Sequence, residues 1–345
     1  MTVSRALHGR FGVSEETRRK IVAFAEELGY IPSRDLYQLR AAKASMTVGL
    51  VVPHLSDTIF PEMFEAIESF FSERGWRVMM CCSYDSTIKE YRAMSSLLEL
   101  GVDGVIWCPV DIDGYTHMRD TLKKSGRPFV FVDRLVPGFD ADSVTVDDRA
   151  AMKRLVAHLA GRGRRRIAYL GASGPVSWVA RERKAGYFAA LKAAGLPRDR
   201  RIVMDAGADF ASGAAGAKAL MALSPRPDAI CCYNDPLALG AEAALLEMGV
   251  AIPRECAITG FSDTLATSLA AVPLTTARQD AATIGREAAR LLHNRIVSSH
   301  GKGCVRKTIP TEIIIRASSG GPPQETSTAR PRTIPELSQS RKRRS

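Results

Sequence analysis

Short apolar runs alternate with amphipathic stretches from Thr47 onward, and this alternation limits the possible folds more than any other feature of the chain. Apolar runs of this kind predict buried strands, and apolar residues at helical spacing predict helices. Strands that alternate with helices predict parallel sheets with helices on both faces. We expect strands at 47–53, 77–82, 104–109, 128–133, 166–171, 201–204, 229–233 and 256–261. We expect helices at 60–71, 88–100, 115–125, 148–161, 181–194, 210–223 and 236–248.

The alternation begins a second time at Asp148, so two doubly wound units follow each other along the chain. Ligands in open parallel sheets bind beyond the carboxyl ends of the strands. Two such units therefore predict a cleft between them, lined by residues at strand ends and helix starts. The chain's 345 residues are enough for two packed subdomains with appendages.

Composition excludes several classes of protein. Hydrophobic residues make up 46% and charged residues 25% of the chain, as is usual in globular proteins. Because there is neither an apolar run of membrane-spanning length nor an apolar signal segment, we expect a cytoplasmic protein. The seven cysteines are expected to be free thiols. No Gly-x-Gly-x-x-Gly, phosphate loop or nucleophile–base set is found, so we expect no enzyme, cofactor or metal.

The first forty residues read as two short helices and a basic connector. Val3 and Leu7 share one face of a predicted helix, and Ser14 is a good N-cap for the next one. Pro32 prevents simple continuation, so 33–45 must form a separate element.

These blocks resemble a known DNA-binding head. Thr2-Val-Ser-Arg-Ala-Leu-His-Gly, Val13-Ser-x-x-Thr-Arg and Leu28-Gly-Tyr-x-Pro32 are similar, in content and spacing, to the head of the lactose/galactose repressor (LacI/GalR) family. The resemblance implies that 2–7 is the recognition helix of a helix-turn-helix within a head of residues 1–32. It also implies that 33–45 is a hinge helix that orders on DNA, with an apolar wedge in the minor groove. The implied DNA-binding residues are Thr2, Ser4, Arg5, Arg34 and the wedge residue Leu39.

The head departs from the family at its start. Family members carry about twenty residues before this point, which form the first helix and the turn of the motif. We therefore expect either that the true start lies upstream or that the chain is a regulator truncated within the helix-turn-helix.

The resemblance continues through the body to about residue 318. Matching blocks are Arg183-x-x-Gly-Tyr187, Tyr233-Asn-Asp-x-x-Ala-Leu-Gly240, Gly260-Phe-Ser-Asp263 and Pro273-Leu-Thr-Thr276. It implies a periplasmic-binding-protein-like α/β fold of two doubly wound parallel-sheet subdomains. The first would comprise 46–146 and 278–304 and the second 147–277 and 305–318, with a helix at 281–298 returning to the first. The crossovers would lie near Val146, Arg278 and Val305.

The family also implies which residues face an effector in the cleft. These residues are Ser56, Asp57, Phe60, Asp133, Ser177, Arg183, Phe210, Asn234 and Ser262. The resemblance implies that the planar guanidinium group of Arg183 binds two ligand oxygens and that Phe210 stacks on a sugar or another small polar ring. Many members carry Asp where this chain has Ser262, and serine removes a charge and shortens the reach.

Structural alternatives remain open for several of these side chains. Arg183 could instead pair with Glu182 at the surface, and Asp133 with Arg134. Asn234 or its neighbour Asp235 would serve as a helix N-cap. Phe60, at a helix start, could belong to the core.

Positive charge is concentrated at the two ends of the chain. The net charge is +11, of which residues 1–45 carry +3 and residues 317–345 carry +4. Residues 319–345 are rich in Pro and Ser and poor in apolar residues, so we expect a disordered basic tail. Basic ends suit a polyanionic partner, although solvated basic tails are common.

Taken together, these features predict a ligand-responsive transcriptional regulator. We expect a homodimeric repressor that binds a palindromic operator and whose affinity is changed by a small sugar-like effector. A DNA-silent effector sensor is the alternative if the first helix is missing, and a solute-binding protein is a weaker one. We also expect Arg183→Ala to abolish effector binding while leaving the fold intact.

Overall fold

The computed structural model describes residues 14, 16–17, 19–21, 45–56, 59–110, 115–172, 178–298 and 303–321. The strands are β1 (Thr47–Val52), β2 (Arg77–Cys82), β3 (Gly104–Trp107), β4 (Phe129–Val132), β5 (Asp142–Val146), β6 (Ile167–Ala172), β7 (Val203–Ala206), β8 (Ala229–Cys232), β9 (Ala257–Ser262), β10 (Thr275–Arg278), β11 (Arg306–Ile309) and β12 (Glu312–Ile314). The α-helices that follow β1 are α1 (Ile59–Ser72), α2 (Thr87–Glu99), α3 (Thr116–Ser125), α4 (Asp148–Gly161), α5 (Trp178–Ala193), α6 (Phe210–Met221), α7 (Asp235–Glu247), α8 (Leu265–Leu269) and α9 (Ala281–Val297).

The strands form two six-stranded sheets, and each sheet defines a subdomain. The first sheet has the order β11-β5-β4-β3-β1-β2, and all of its neighbours are parallel. The second has the order β12-β10-β9-β8-β6-β7 and is parallel except for the β10–β12 pair. The predicted α/β fold with two doubly wound parallel sheets is therefore confirmed for the body. Most of the head, the hinge up to residue 44 and most of the tail lie outside the described residues.

Helices cover both faces of each sheet, as continuous apolar strands require. In the first subdomain α9 packs beside α1, while Trp107 and Phe131 are buried on the opposite face of the sheet. In the second subdomain α6 packs against α7 on one face and α4 against α5 on the other. Gly213 and Gly240 let α6 and α7 approach closely, because a Cβ at either position would collide with backbone of the facing helix. None of the described helices has the length and apolar character needed to cross a bilayer.

Two differences from the predicted strands have a clear physical reason. β5 was not predicted, because Asp142-Ser-Val-Thr-Val is short and half polar, yet it is buried between β4 and β11. The strand expected at 201–204 begins only at Val203. The Asp199 carboxylate accepts a hydrogen bond from the Arg201 amide at 2.9 Å and closes a short 3₁₀ turn before it.

The chain crosses between the subdomains three times. The first two crossovers lie between β5 and α4 and between β10 and α9. The third lies between Ile309 and Glu312 rather than near Val305, because β11 pairs with β5 in the first sheet and β12 with β10 in the second.

The body also ends later than predicted. Ser319 was assigned to the disordered tail, but it is 1% exposed and hydrogen-bonded to Thr275 at 2.6 Å and to His158 at 2.8 Å. Residues 319–321 therefore pack against the second subdomain, and the segment 322–345 lies outside the described residues.

Candidate functional site

The carboxyl ends of β4, β9 and β10 meet between the two subdomains. The residues that follow or end these strands are Asp133, Ser262 and Gln279, and each is at most 7% exposed. Asp133 and Ser262 have φ angles of 61° and 126°, which L-residues rarely adopt. Such backbone conformations persist where surrounding contacts hold them, and they are concentrated at functional sites. They turn both side chains out of the strand path and toward the cleft.

Gln279 connects the two subdomains through its side-chain amide. Its Nε2 donates to Asp133 Oδ1 in the first subdomain at 3.3 Å. Its Oε1 accepts from Ser262 Oγ at 2.9 Å and from Arg183 Nη2 at 3.3 Å, both in the second subdomain. Sequence reasoning missed Gln279. The available signal was a polar residue at the carboxyl end of a strand, immediately after the Pro-Leu-Thr-Thr block.

Arg183 lies in the second turn of α5, which begins at Trp178, earlier than predicted. The side chain is buried and stacks on the Phe261 ring, with the guanidinium carbon 3.6 Å from the ring centroid. Nε donates to Asp148 Oδ1 at 2.7 Å, and Nη1 donates to the Tyr233 carbonyl at 2.8 Å. With the bond to Gln279, the described contacts use three of the five guanidinium N–H donors.

The alternative pairing of Arg183 with Glu182 is not found. Glu182 instead accepts hydrogen bonds from Arg149 at 2.8 and 3.0 Å at the surface. Asp148, the actual partner, is buried, and its Oδ2 has no hydrogen-bond partner among the described residues. Burial raises the pKa of the Asp148 carboxyl to about 7, and the adjacent guanidinium of Arg183 offsets only part of this effect.

The first subdomain contributes a cluster of polar and charged residues, His54, Asp85 and Arg134, which sequence reasoning also missed. Arg134 Nη1 donates to Asp85 Oδ1 at 2.7 Å, and His54 Nε2 lies 3.0 Å from Asp85 Oδ2. Arg134 Nε is buried without a hydrogen-bond partner in the described structure and lies 3.9 Å from Asp133 Oδ2. The alternative Asp133–Arg134 salt bridge is thus long, and the shorter contact of Asp133 is the one to Gln279.

Asn234 and Asp235 are both used within the second subdomain. Asn234 is the N-cap of α7: Oδ1 accepts from the Leu237 amide at 3.1 Å, and Nδ2 donates to the Ala208 carbonyl at 2.8 Å. Asp235 braces β10 and the loop after β9 by accepting from Thr276 Oγ1 at 2.7 Å and from the Thr264 amide at 2.9 Å. The capping alternative therefore describes Asn234, whose amide holds the loop before Phe210.

The two aromatic candidates differ in environment. Phe60 is 3% exposed and packs within the apolar core of the first subdomain, which favours the core alternative over a ligand-facing role. Phe210 begins α6 and is 52% exposed, as an aromatic platform requires. Asp209 caps this helix by accepting from the Ser212 amide at 2.8 Å, which fixes the position of Phe210.

The remaining predicted residues are less informative. Ser56 is exposed in the bend after β1, and no described contact joins it to the network around Gln279. Asp57 and Ser177 lie outside the described residues, as do the predicted DNA-binding residues Thr2, Ser4, Arg5, Arg34 and Leu39.

A buried carboxylate, Glu90, connects the end of β3 to Val110 and Tyr115. Glu90 Oε1 accepts from Trp107 Nε1 at 2.7 Å and from the Val110 amide at 2.9 Å. Its Oε2 accepts from the Tyr115 hydroxyl at 2.6 Å. Burial raises the pKa of the Glu90 carboxyl, and the three donors oppose the shift. Glu90 thereby fixes both ends of the segment between Val110 and Tyr115.

The chain matches known families at both ends. Residues 1–33 match the bacterial regulatory proteins of the lacI family, and residues 156–319 match the periplasmic binding protein-like domain. The HTH-type transcriptional regulator CelR of Thermobifida fusca is 31% identical over 325 residues, which is 92% of this chain and 94% of that protein. This chain belongs to the LacI family.

Further relatives agree with this assignment. The HTH-type transcriptional regulator MalR of Streptomyces coelicolor is 29% identical over 332 residues, which is 94% of each chain. A solved complex of the transcriptional regulator CelR with cellobiose superposes with a TM-score of 0.73 at 28% identity. It covers 92% of this chain and 95% of that one. These LacI-family relatives are transcriptional regulators rather than enzymes.

Proposed function

We propose that this LacI-family protein is a ligand-responsive repressor, whose cleft binds a small sugar-like effector that changes its affinity for operator DNA. The observation that carries the proposal is the hydrogen-bond network centred on Gln279, which joins both subdomains at the cleft. A ligand that competes for or completes these bonds would interact differently with open and closed cleft states. Differential affinity for two states is what allows a ligand to shift a conformational equilibrium.

The polar groups of the cleft support a hydroxyl-rich ligand. Arg183 retains unused N–H donors, and Asp148 Oδ2 is an acceptor that lacks a partner among the described residues. A few convergent polar groups beside an exposed aromatic side chain such as Phe210 suit a sugar ring. The cellobiose in the solved CelR complex supports the same class of ligand.

The proposed DNA contact lies in the head and hinge. We infer that Thr2, Ser4 and Arg5 contact the major groove and that Arg34 and Leu39 act at the hinge. A palindromic operator requires a two-fold protein, so we also propose a homodimer that pairs through the first subdomain. Effector binding would rotate the paired subdomains and change the spacing of the two hinge segments.

Calorimetric titration of the full chain with mono- and disaccharides, including cellobiose and ribose, tests effector binding. We expect saturable binding of at least one sugar. We then expect that sugar to change the affinity for a duplex that the protein selects from a random library. Binding of a sugar without any selected DNA sequence would favour the effector sensor, and selective DNA binding without any sugar response would contradict the effector proposal.

A further inference from the structure

The loops that precede the strands of the second sheet carry a dense positive charge. These helix-to-strand loops are 162–166, 194–202, 222–228 and 248–256, and they contain nine arginines and three acidic residues, a net charge of +6. The arginine patch consists of Arg162, Arg164, Arg165, Arg166, Arg198, Arg200, Arg201, Arg226 and Arg254. Because β6 to β9 are parallel, the amino ends of these strands lie at one edge of the sheet. This edge is opposite to the cleft.

The first sheet does not share this charge. Its corresponding loops, 73–76, 100–103, 126–128 and 298–305, contain two arginines, one lysine and two acidic residues, a net charge of only +1. The positive excess is a property of one outer edge of the body rather than of its surface in general.

Two acidic residues of this region are already occupied by groups of the protein. Asp199 Oδ2 lies 2.8 Å from the guanidinium groups of both Arg166 and Arg201. Asp228 accepts from the backbone amides of Arg165 and Arg166 at 2.7 and 3.1 Å. These carboxylates organise the loops and leave most of the arginine charge without a counterion from the protein.

Several guanidinium groups are held in place by backbone carbonyls. Arg162 donates to the Gly320 carbonyl, and Arg166 Nε donates to the Pro225 carbonyl at 2.8 Å. By contrast, Arg165, Arg200 and Arg254 are exposed, and their side chains form no ion pair within the described part of the chain. Guanidinium groups in such positions can bind phosphate oxygens in a bidentate manner.

We propose that the arginine patch is a second DNA-binding surface, which contacts the phosphate backbone of a duplex segment other than the one held by the head. The head joins the body at Ser45, beside the amino end of β1 and thus at the outer edge of the first sheet. The carboxyl ends of both sheets meet at Gln279, so the patch lies at the far end of the body from Ser45, where the chain enters it. One straight duplex segment cannot lie at both ends of the same protomer.

The chain leaves the body at the same end as the patch. Gly320, the acceptor for Arg162, is followed by the segment 322–345, which contains six basic and two acidic residues. The phosphates of duplex DNA form a regularly spaced row of negative charges. Such a row is complementary to the arginine patch, whose cations are all guanidinium groups. Contacts of this kind carry no sequence information and weaken steeply as salt is raised.

A bridging assay with the full chain tests the proposal. A duplex of arbitrary sequence is fixed to beads, loaded with protein in about 50 mM salt, washed, and exposed to a second, fluorescent duplex. We expect the wild type to capture the second duplex. The triple variant Arg165→Glu/Arg200→Glu/Arg254→Glu should retain bead-bound protein but capture at least about tenfold less of the second duplex.

The control is the triple variant Arg92→Glu/Lys153→Glu/Arg286→Glu, which makes the same charge change at exposed positions outside the patch. Its capture should remain close to that of the wild type. Equal capture by the patch variant and the wild type, equal loss in both variants, or no capture by the wild type would overturn the proposal. Capture of fluorescent polyglutamate in place of DNA would instead assign the surface to an acidic protein and would overturn the DNA assignment.

Discussion

Gln279 donates a hydrogen bond of 3.3 Å to Asp133 and thereby joins a residue at the crossover between β10 and α9 to the end of β4. On its other side the same amide accepts from Arg183 and Ser262. The cleft is therefore spanned by protein groups that a bound ligand can replace or reinforce. Because these bonds connect the subdomains directly, changes to them should alter how ligand binding is transmitted to the DNA-binding end.

Arg183→Ala should weaken effector binding and lower the free energy of unfolding, while the protein still folds. Above pH 7, where Asp148 is ionised in the wild type, the substitution leaves its carboxylate buried without a partner, and breaking a buried pair in this way costs roughly 3–5 kcal/mol. Denaturant unfolding measures the free energy of unfolding. The control is Arg149→Ala, which breaks the surface pair with Glu182 and should cost at most about 1 kcal/mol. Equal costs for the two variants would contradict the buried-pair account.

The pKa of about 7 for Asp148 predicts a pH dependence of stability. In the unfolded chain this carboxyl titrates near 3.8, so between about pH 4 and pH 7 the folded state retains a proton that the unfolded state has lost. Its contribution to the free energy of unfolding is present at low pH and is lost as the pH rises through about 7. Unfolding of the wild type and Asp148→Asn at pH values across this window measures the effect. A difference between the two proteins that stays constant with pH would contradict it.

Phe210→Ala should reduce effector affinity with little effect on stability, because Phe210 is 52% exposed at the start of α6. Phe60→Ala should do the reverse, since deletion of a buried aromatic side chain costs about 3–5 kcal/mol. Calorimetric titration and denaturant unfolding of both variants separate the two roles. Undiminished sugar affinity in Phe210→Ala would remove this residue from the binding site.

Glu90→Ala should destabilise the first subdomain by about 1–3 kcal/mol or more, because it leaves buried donors of Trp107, Val110 and Tyr115 unsatisfied. Thermal unfolding measures the loss. Glu68→Ala, at an exposed position of α1, is the matched control and should lie within about 0.5 kcal/mol of the wild type. Comparable melting temperatures for the two variants would show that Glu90 does not brace the loop.

The alternation of strands and helices was sufficient to predict the fold class, because apolar runs with clear boundaries identify buried strands directly. β5 escaped prediction since its burial comes from its two neighbours in the sheet rather than from its own composition. β11 was assigned to the wrong side of the crossover for a similar reason. A short polar strand joins the sheet that offers it a pairing partner, and the local sequence contains little information about that partner.

The sequence predicted site residues only where a side chain suited to ligand binding stood at a predicted strand end or helix start. Arg183 was singled out by the family resemblance, and the structure buries it in the network around Gln279. The partner itself, Asp148, could not be found from local sequence, since the two residues are brought together by the packing of α4 against α5. Gln279 was missed because its contacts join residues of both sheets, and Arg134 because its partner Asp85 follows a strand far away in the sequence.

The most direct test of the central claim is the affinity for a selected palindromic duplex, measured with and without a saturating sugar ligand. In the wild type we predict that the sugar changes DNA affinity by about 5–150-fold, the usual range of allosteric coupling. In Gln279→Ala we predict that the sugar still binds but that the change in DNA affinity is much smaller, because the link to Asp133 is lost. The same DNA affinity with and without bound sugar in the wild type would contradict the account.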